Sequence, residues 1–190
     1  MTITSSGLYE NAKQLHSTHY DERPENDISL LVIHCISLPQ GQFGTPYIDD
    51  LFCGQLDCNA HESFASLEGV RVSAHCLIDR AGAVRQYVPF SKRAWHAGVS
   101  SFAGKARCND FSIGIELEGT DKGQYTDAQY QSLAQLTQAL MIAYPKITQN
   151  TIVGHSDIAP GRKTDPGEGF DWRRFFHLTF KDNCDRLKEV

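Results

Sequence analysis

No apolar run in this chain approaches the ~20 residues that a membrane-crossing helix needs, so no membrane partner is expected. A basic excess is missing as well. Lys and Arg total 18 against 23 Asp and Glu, a net charge of -5, which argues against a nucleic-acid-binding face. The first residues carry neither a basic leader nor an apolar core of the secretory kind, so the expected compartment is cytoplasmic. None of the six cysteines stands in a CxxC pair, which excludes the usual structural zinc knuckle. Cys35 and Cys76 lie inside apolar runs, where a free thiol behaves as a small hydrophobe, and reduced thiols are the expected state. Repeats, low-complexity tracts and linkers are also lacking.

What remains is 190 residues with 41% hydrophobic content, enough for one good core and one domain over 1–190. Residues 28–34 read as a buried strand. Residues 38–64 read as a long excursion with short helical pieces. Strands are expected over 72–78 and 84–88, joined by a hairpin turn in which Gly82 takes the awkward dihedral. Another strand spans 111–117, with Phe111, Ile113, Ile115 and Leu117 on one side and Ser112, Gly114 and Glu116 on the other. Thr126 and Gln129 have the spacing of a capping box, opening a helix to about Tyr144 before Pro145. A last helix is expected over 171–178, capped by Asp171. Strands alternating with helices define an α/β domain with a central mixed β-sheet flanked by helices.

The most informative stretch is 153–167. A short strand-like run, 151–153, leads into a loop that holds His155, Asp157, Lys163 and Asp165, and Pro160, Gly161, Pro166 and Gly167 oppose regular structure there. A loop that presents His, Lys and Asp in this way builds a site more often than not, its rival being a solvated turn. His34 stands where a strand gives way to loop, on the face of Val32 and opposite Cys35. Two histidines and an aspartate suit zinc, leaving a fourth position open as in catalytic sites. Glu116 is a lone carboxylate in an apolar strand, costly to bury without a partner; a metal centre, a lysine or a structural ion pair would each serve. His75 and His96 stand out among the eight histidines without a role of their own.

Together these residues resemble the zinc-dependent N-acetylmuramoyl-L-alanine amidases, most closely their cytosolic AmpD-type branch. The matching segments are 32–39 (VIHCISLP), 71–78 (RVSAHCLI), 86–90 (QYVPF), 93–98 (RAWHAG), 107–120 (RCNDFSIGIELEGT) and 154–167, in the family's order. The resemblance implies the mixed-sheet fold shared with peptidoglycan-recognition proteins. It implies one zinc ion held by His34, His155 and Asp165, with Glu116 as acid/base and Lys163 helping to stabilise the oxyanion. The implied substrate is a small 1,6-anhydro-N-acetylmuramyl peptide, cut between the lactyl group and L-alanine during wall recycling, with no obligate protein partner. Arg71 and Arg107 are candidates for pairing with its carboxylates, Asn109 for reading its amides and Trp95 for covering a sugar face. Surface charge and core packing are the plainer alternatives for these four. Cys35 and Ser156, which follow the two ligand histidines, depart from the Asn and Cys associated with the family, and residues 179–190 match nothing in it.

Other classes remain to be weighed. A non-catalytic peptidoglycan-binding module would be expected to lack a ligand or the acid/base, and this chain keeps all four residues. A cysteine hydrolase would pair Cys76 or Cys108 with His75, but Cys76 and His75 point to opposite faces of a strand. An amidase of intact wall would need an export signal.

Overall fold

A computed structural model describes residues 2–186, with side chains through residue 181. In chain order its strands and helices are β1 (Lys13–Gln14), β2 (Tyr20–Asp21), β3 (Leu30–Ile36), α1 (Tyr47–Cys53), β4 (Cys76–Ile78), β5 (Val84–Gln86), β6 (Arg93–Ala94), β7 (Ser101–Phe102), β8 (Lys105–Ala106), β9 (Ser112–Glu118), α2 (Asp127–Ala143), β10 (Ile152–Gly154), α3 (His155–Ile158) and α4 (Trp172–Arg186). Short 3₁₀ segments occur at Glu62–Leu67, Cys108–Asp110 and Gln149–Thr151.

The main sheet has the order β1-β5-β4-β9-β3-β10. Its centre is parallel, with β9 beside β3, β3 beside β10 and β4 beside β9, while β4 and β5 form an antiparallel hairpin. The sheet is therefore mixed, as expected. β9 is buried along its whole length, although its sequence, SIGIELE, alternates apolar with small or polar residues.

Alternation along β3 and β9 sorts their side chains into two layers. Leu31, Ile33, Ile113, Ile115 and Leu117 pack under α2 and α4, against Tyr130, Leu133, Leu136, Leu140 and Phe175. On the other face, Leu30 and Val32 meet Ala97 and Ile158, and Leu77 meets the residues of α1. Burying a side chain of Leu or Ile size contributes about 1.5–3 kcal/mol, so these two layers fix the sheet between its helices and loops. His34 and Glu116 follow Val32 and Gly114 on this second face, both near the carboxyl ends of parallel strands. That is where open α/β sheets place their ligand sites.

The capping box at α2 is present: Thr126 Oγ1 accepts from Gln129 N–H at 3.1 Å, and Gln129 Oε1 accepts from Thr126 N–H at 3.1 Å. Such a cap is worth about 1 kcal/mol. Asp171 caps α4, accepting from Arg174 N–H at 2.9 Å, but the helix runs well past Leu178 because no Pro or Gly follows to stop it. The hairpin after β4 closes over residues 79–83, with Gly82 at φ +84° and Asp79 Oδ1 accepting from two backbone N–H groups. The regular ladder starts at Cys76; His75 N–H already donates to Gly114 of β9, whereas Ser73 N–H donates to Trp95.

One expectation fails in the stretch after β10. Residues 155–158 form a helical turn, α3, although the Pro- and Gly-rich composition suggested loop throughout. The breakers begin only at Pro160, and Gly154 N–H donates to Asp157 Oδ2 at 2.7 Å, which caps the turn.

Candidate metal centre and catalytic site

His34 arrives on β3, His155 opens α3 directly after β10, and Asp165 lies in the following loop. Because β10 runs parallel to β3, with Gly154 opposite Ile33, the two histidines emerge side by side. Ser156 N–H donates to the Asp165 carbonyl at 3.0 Å, and this returns the loop so that the carboxylate faces the rings. His34 Nδ1 and His155 Nδ1 are 2.9 Å apart, and Asp165 Oδ2 lies 3.1 Å and 3.0 Å from them. His34 and His155 are buried, and Asp165 is largely so.

This triangle has a specific chemistry. His155 Nε2 lies 3.2 Å from the Ala97 carbonyl, which can only accept, so the hydrogen of the neutral ring is on Nε2 and Nδ1 bears a lone pair. Burial holds His34 at a pKa of about 4, so that ring is neutral near pH 7. Lone pairs and a carboxylate gathered within 3.1 Å suit a cation between them. The spacing is close to the edge of roughly 3.3 Å that zinc-ligand bonds of about 2.0 Å give in a tetrahedron. Among the described residues, His34, His155 and Asp165 form the one cluster with metal-holding geometry.

Glu116 is the register neighbour of His34 across β3 and β9. It is 9% exposed, and its Oε2 is buried with no hydrogen-bond partner. The ion pair that sequence left open for it is not found among the described residues. Burial, then the Asp165 charge, pushes its carboxyl well above the usual range, and Lys163 pulls the other way. Lys163 is exposed and lines an open cleft of about 330 Å³ together with Cys35, Ser37, Thr120 and Asp165.

The raised carboxyl has a measurable consequence. In the folded, metal-free chain Glu116 keeps a proton at pH values where the unfolded chain has lost it. Stability therefore falls as pH rises past the ordinary glutamate value and levels off only above the folded one. Glu116→Gln should flatten this decline, giving the metal-free variant the higher melting temperature at about pH 8 and a similar one at about pH 4. Parallel melting curves across that range would contradict the assignment.

None of the four substrate candidates lines the cleft that holds Lys163 and Asp165. Trp95, Arg107 and Asn109 line a second cleft of about 190 Å³ with Arg93, Gly98 and Asp110. Arg71 stacks over Trp95, its guanidinium carbon 5.4 Å from the ring centroid. Trp95 donates its indole N–H to Asp21 at 3.1 Å. Arg107 is 72% exposed, pairs with Asp110 at 3.2 Å and sits at φ +62°, a costly conformation for a residue other than glycine. Asn109 Oδ1 already accepts from the N–H groups of His96 and Ala97, so only its amide N–H groups remain for a ligand.

His96 is one of the two histidines, with His75, that sequence singled out without a role. Its Nδ1 lies 2.9 Å from His34 Nε2 and its Nε2 lies 3.1 Å from Ser112 Oγ. Gly114 makes room for it, since a Cβ there would come within 2.4 Å of the ring. The signal was available in the alternation of β9, where a glycine stands between Ser112 and Glu116. Arg162, which drew no attention in the sequence, donates to the carbonyls of Ala97 and Val99 at 2.7 and 2.8 Å. The cysteine-hydrolase alternative loses its nucleophile: Cys76 is wholly buried, its thiol pushed far up by burial, and Cys108 is buried and raised as well.

A mixed α/β sheet that brings two histidines, an aspartate and an unpartnered carboxyl to the ends of its parallel strands has the layout of a metal-assisted hydrolase. A family model described as N-acetylmuramoyl-L-alanine amidase matches residues 24–168, and the chain belongs to that family and is an amidase. The 1,6-anhydro-N-acetylmuramyl-L-alanine amidase AmpD of Citrobacter freundii is 60% identical over 174 residues, covering 91% of this chain and 92% of the relative. A crystal structure of a selenomethionine derivative of AmpD superposes with a TM-score of 0.89 at 60% identity, over 92% of this chain and 97% of that one. The amidase AmiD of Escherichia coli, in complex with anhydro-N-acetylmuramic acid-L-Ala-D-γ-Glu-L-Lys, superposes with a TM-score of 0.58 at 34% identity, over 80% of this chain and 57% of that one. No helix among the described residues is long and apolar enough to cross a membrane.

Proposed function

We propose that this amidase is zinc-dependent and hydrolyses the bond between the lactyl group of 1,6-anhydro-N-acetylmuramic acid and L-alanine in small wall fragments, for peptidoglycan recycling. The observation that carries the reading is the triangle of His34, His155 and Asp165 donor atoms beside the unpartnered Glu116. These three residues would hold one zinc ion, which would supply Lewis acidity for polarising a carbonyl and acidifying water.

The remaining chemistry belongs to the chain. Glu116 accepts a proton from the attacking water and delivers it to the leaving alanine nitrogen. Its burial in the site, with no hydrogen-bond partner on Oε2, leaves it free to take and give a proton. Lys163, at the cleft edge, offers a positive charge to the oxyanion as it forms. Arg71 and Arg107 pair with carboxylates of the stem peptide, Asn109 donates to a peptide carbonyl, and Trp95 covers the sugar. A substrate this small, and five described cysteines that are all unpaired, suit a cytoplasmic enzyme.

Purified protein incubated with 1,6-anhydro-N-acetylmuramyl peptide should release the free sugar acid and the free peptide, read by mass spectrometry, with about one zinc per chain by metal analysis. Cleavage of intact wall in preference to the anhydro fragment would reassign the substrate. No cleavage of either by zinc-loaded protein would defeat the reading.

A further inference from the structure

We propose that His96 is a positioning residue for the metal centre: it fixes the His34 ring so that the lone pair of Nδ1 faces His155 and Asp165. This rests on the reading of those three residues as metal ligands. A neutral imidazole carries one hydrogen, and the partner of the distal nitrogen decides where it sits. For His155 the Ala97 carbonyl decides it. His34 has another imidazole at its distal nitrogen, His96 Nδ1 at 2.9 Å, and two ring nitrogens at that distance share a single hydrogen.

The polarity of that bond matters. With the His96 hydrogen on Nε2, directed at Ser112 Oγ 3.1 Å away, Nδ1 of His96 accepts from His34 Nε2–H, and the opposite edge of His34 is a lone pair. The reverse polarity puts a hydrogen on His34 Nδ1, in the space between the three ligand atoms.

The ring is held from several sides. Gly114 leaves its space open, and His75 packs edge-on at a centroid distance of 5.7 Å. Asn109 Oδ1 accepts from the N–H of His96 at 3.2 Å and of Ala97 at 2.8 Å. The groups that orient both ligand histidines are thus consecutive residues pinned by one amide, and Arg162 holds the Ala97 carbonyl from the other side.

The matched substitutions His96→Asn and His96→Leu test this. The two side chains have nearly the same shape, but only Asn offers an oxygen where Nδ1 stood. Zinc affinity is measured by chelator competition, and the His34 ring hydrogen is followed by proton-nitrogen NMR on the same zinc-loaded samples. His96→Leu should bind zinc about 10–100-fold more weakly, while His96→Asn stays within a few-fold of the unaltered chain. The hydrogen-bonded shift of His34 Nε2–H should persist with Asn and vanish with Leu. Ser112→Ala, which removes the acceptor of His96 Nε2–H, should weaken zinc binding on the order of ten-fold and serves if His96→Leu does not fold. Equal losses with Asn and Leu, or none with Leu or with Ser112→Ala, would make His96 a packing residue and overturn the proposal. Failure of the metal reading looks different: the unaltered chain would itself take up no zinc, and both would fall.

Discussion

Glu116→Ala is expected to lower the single-turnover rate of amide cleavage by at least ~10²-fold, the usual scale of a lost general acid-base group. Zinc content should be unchanged, because the three donor atoms that meet lie on His34, His155 and Asp165. Stability should not suffer either. Glu116 Oε2 has no hydrogen-bond partner, so its removal orphans none, and desolvation already penalises the charged form. Substrate affinity should move much less than the rate, since a group that acts on a moving proton contributes mainly in the transition state. Lys163→Ala should show the same split between rate and affinity, for the same reason. Melting temperature, metal content and rate measured on one preparation decide the matter. A variant that melts early but turns over normally when folded would reduce Glu116 to a structural residue.

The metal ligands should show a larger loss. Removing any one of His34, His155 or Asp165 should cost more zinc affinity than the ~10–100-fold typical of residues that merely orient a ligand. The triple alanine variant should carry no zinc after dialysis and show no cleavage above background. Chelation of the unaltered protein should abolish activity, and added zinc should restore it. Full zinc occupancy in the triple variant would end the assignment.

The parts of this site that lay on β-strands were legible from the sequence. The period of two put His34 opposite Cys35 and Glu116 opposite Ile115, and the fold keeps both relations, with His34 and Glu116 paired across adjacent strands. The capping box of α2 was legible because its geometry is local, set by Thr126 and Gln129 alone. Loop-borne relations were not. No periodicity links Asn109 to the backbone of His96, and its engagement by two N–H groups depends on the 3₁₀ turn at Cys108–Asp110. The helical turn after β10 was hidden by the weight given to Pro160 and Gly161, which stop a helix but do not prevent one from starting at His155. β1 and β2 span two residues each, too few to leave a pattern.

The parallel pairing of β3, β9 and β10 bears on how this protein acquires its chemistry in time. His34 and His155 lie 121 positions apart, and His34 and Asp165 lie 131 apart. Contacts of such long range form slowly, because loop closure precedes the energy they return. His155 and Asp165, ten positions apart, can meet locally, but His34 joins them only when β10 pairs with β3. A nascent or nicked chain that still lacks β10 holds one of the three ligands, and the capacity to bind metal arrives only with the segment that follows the last strand of the sheet.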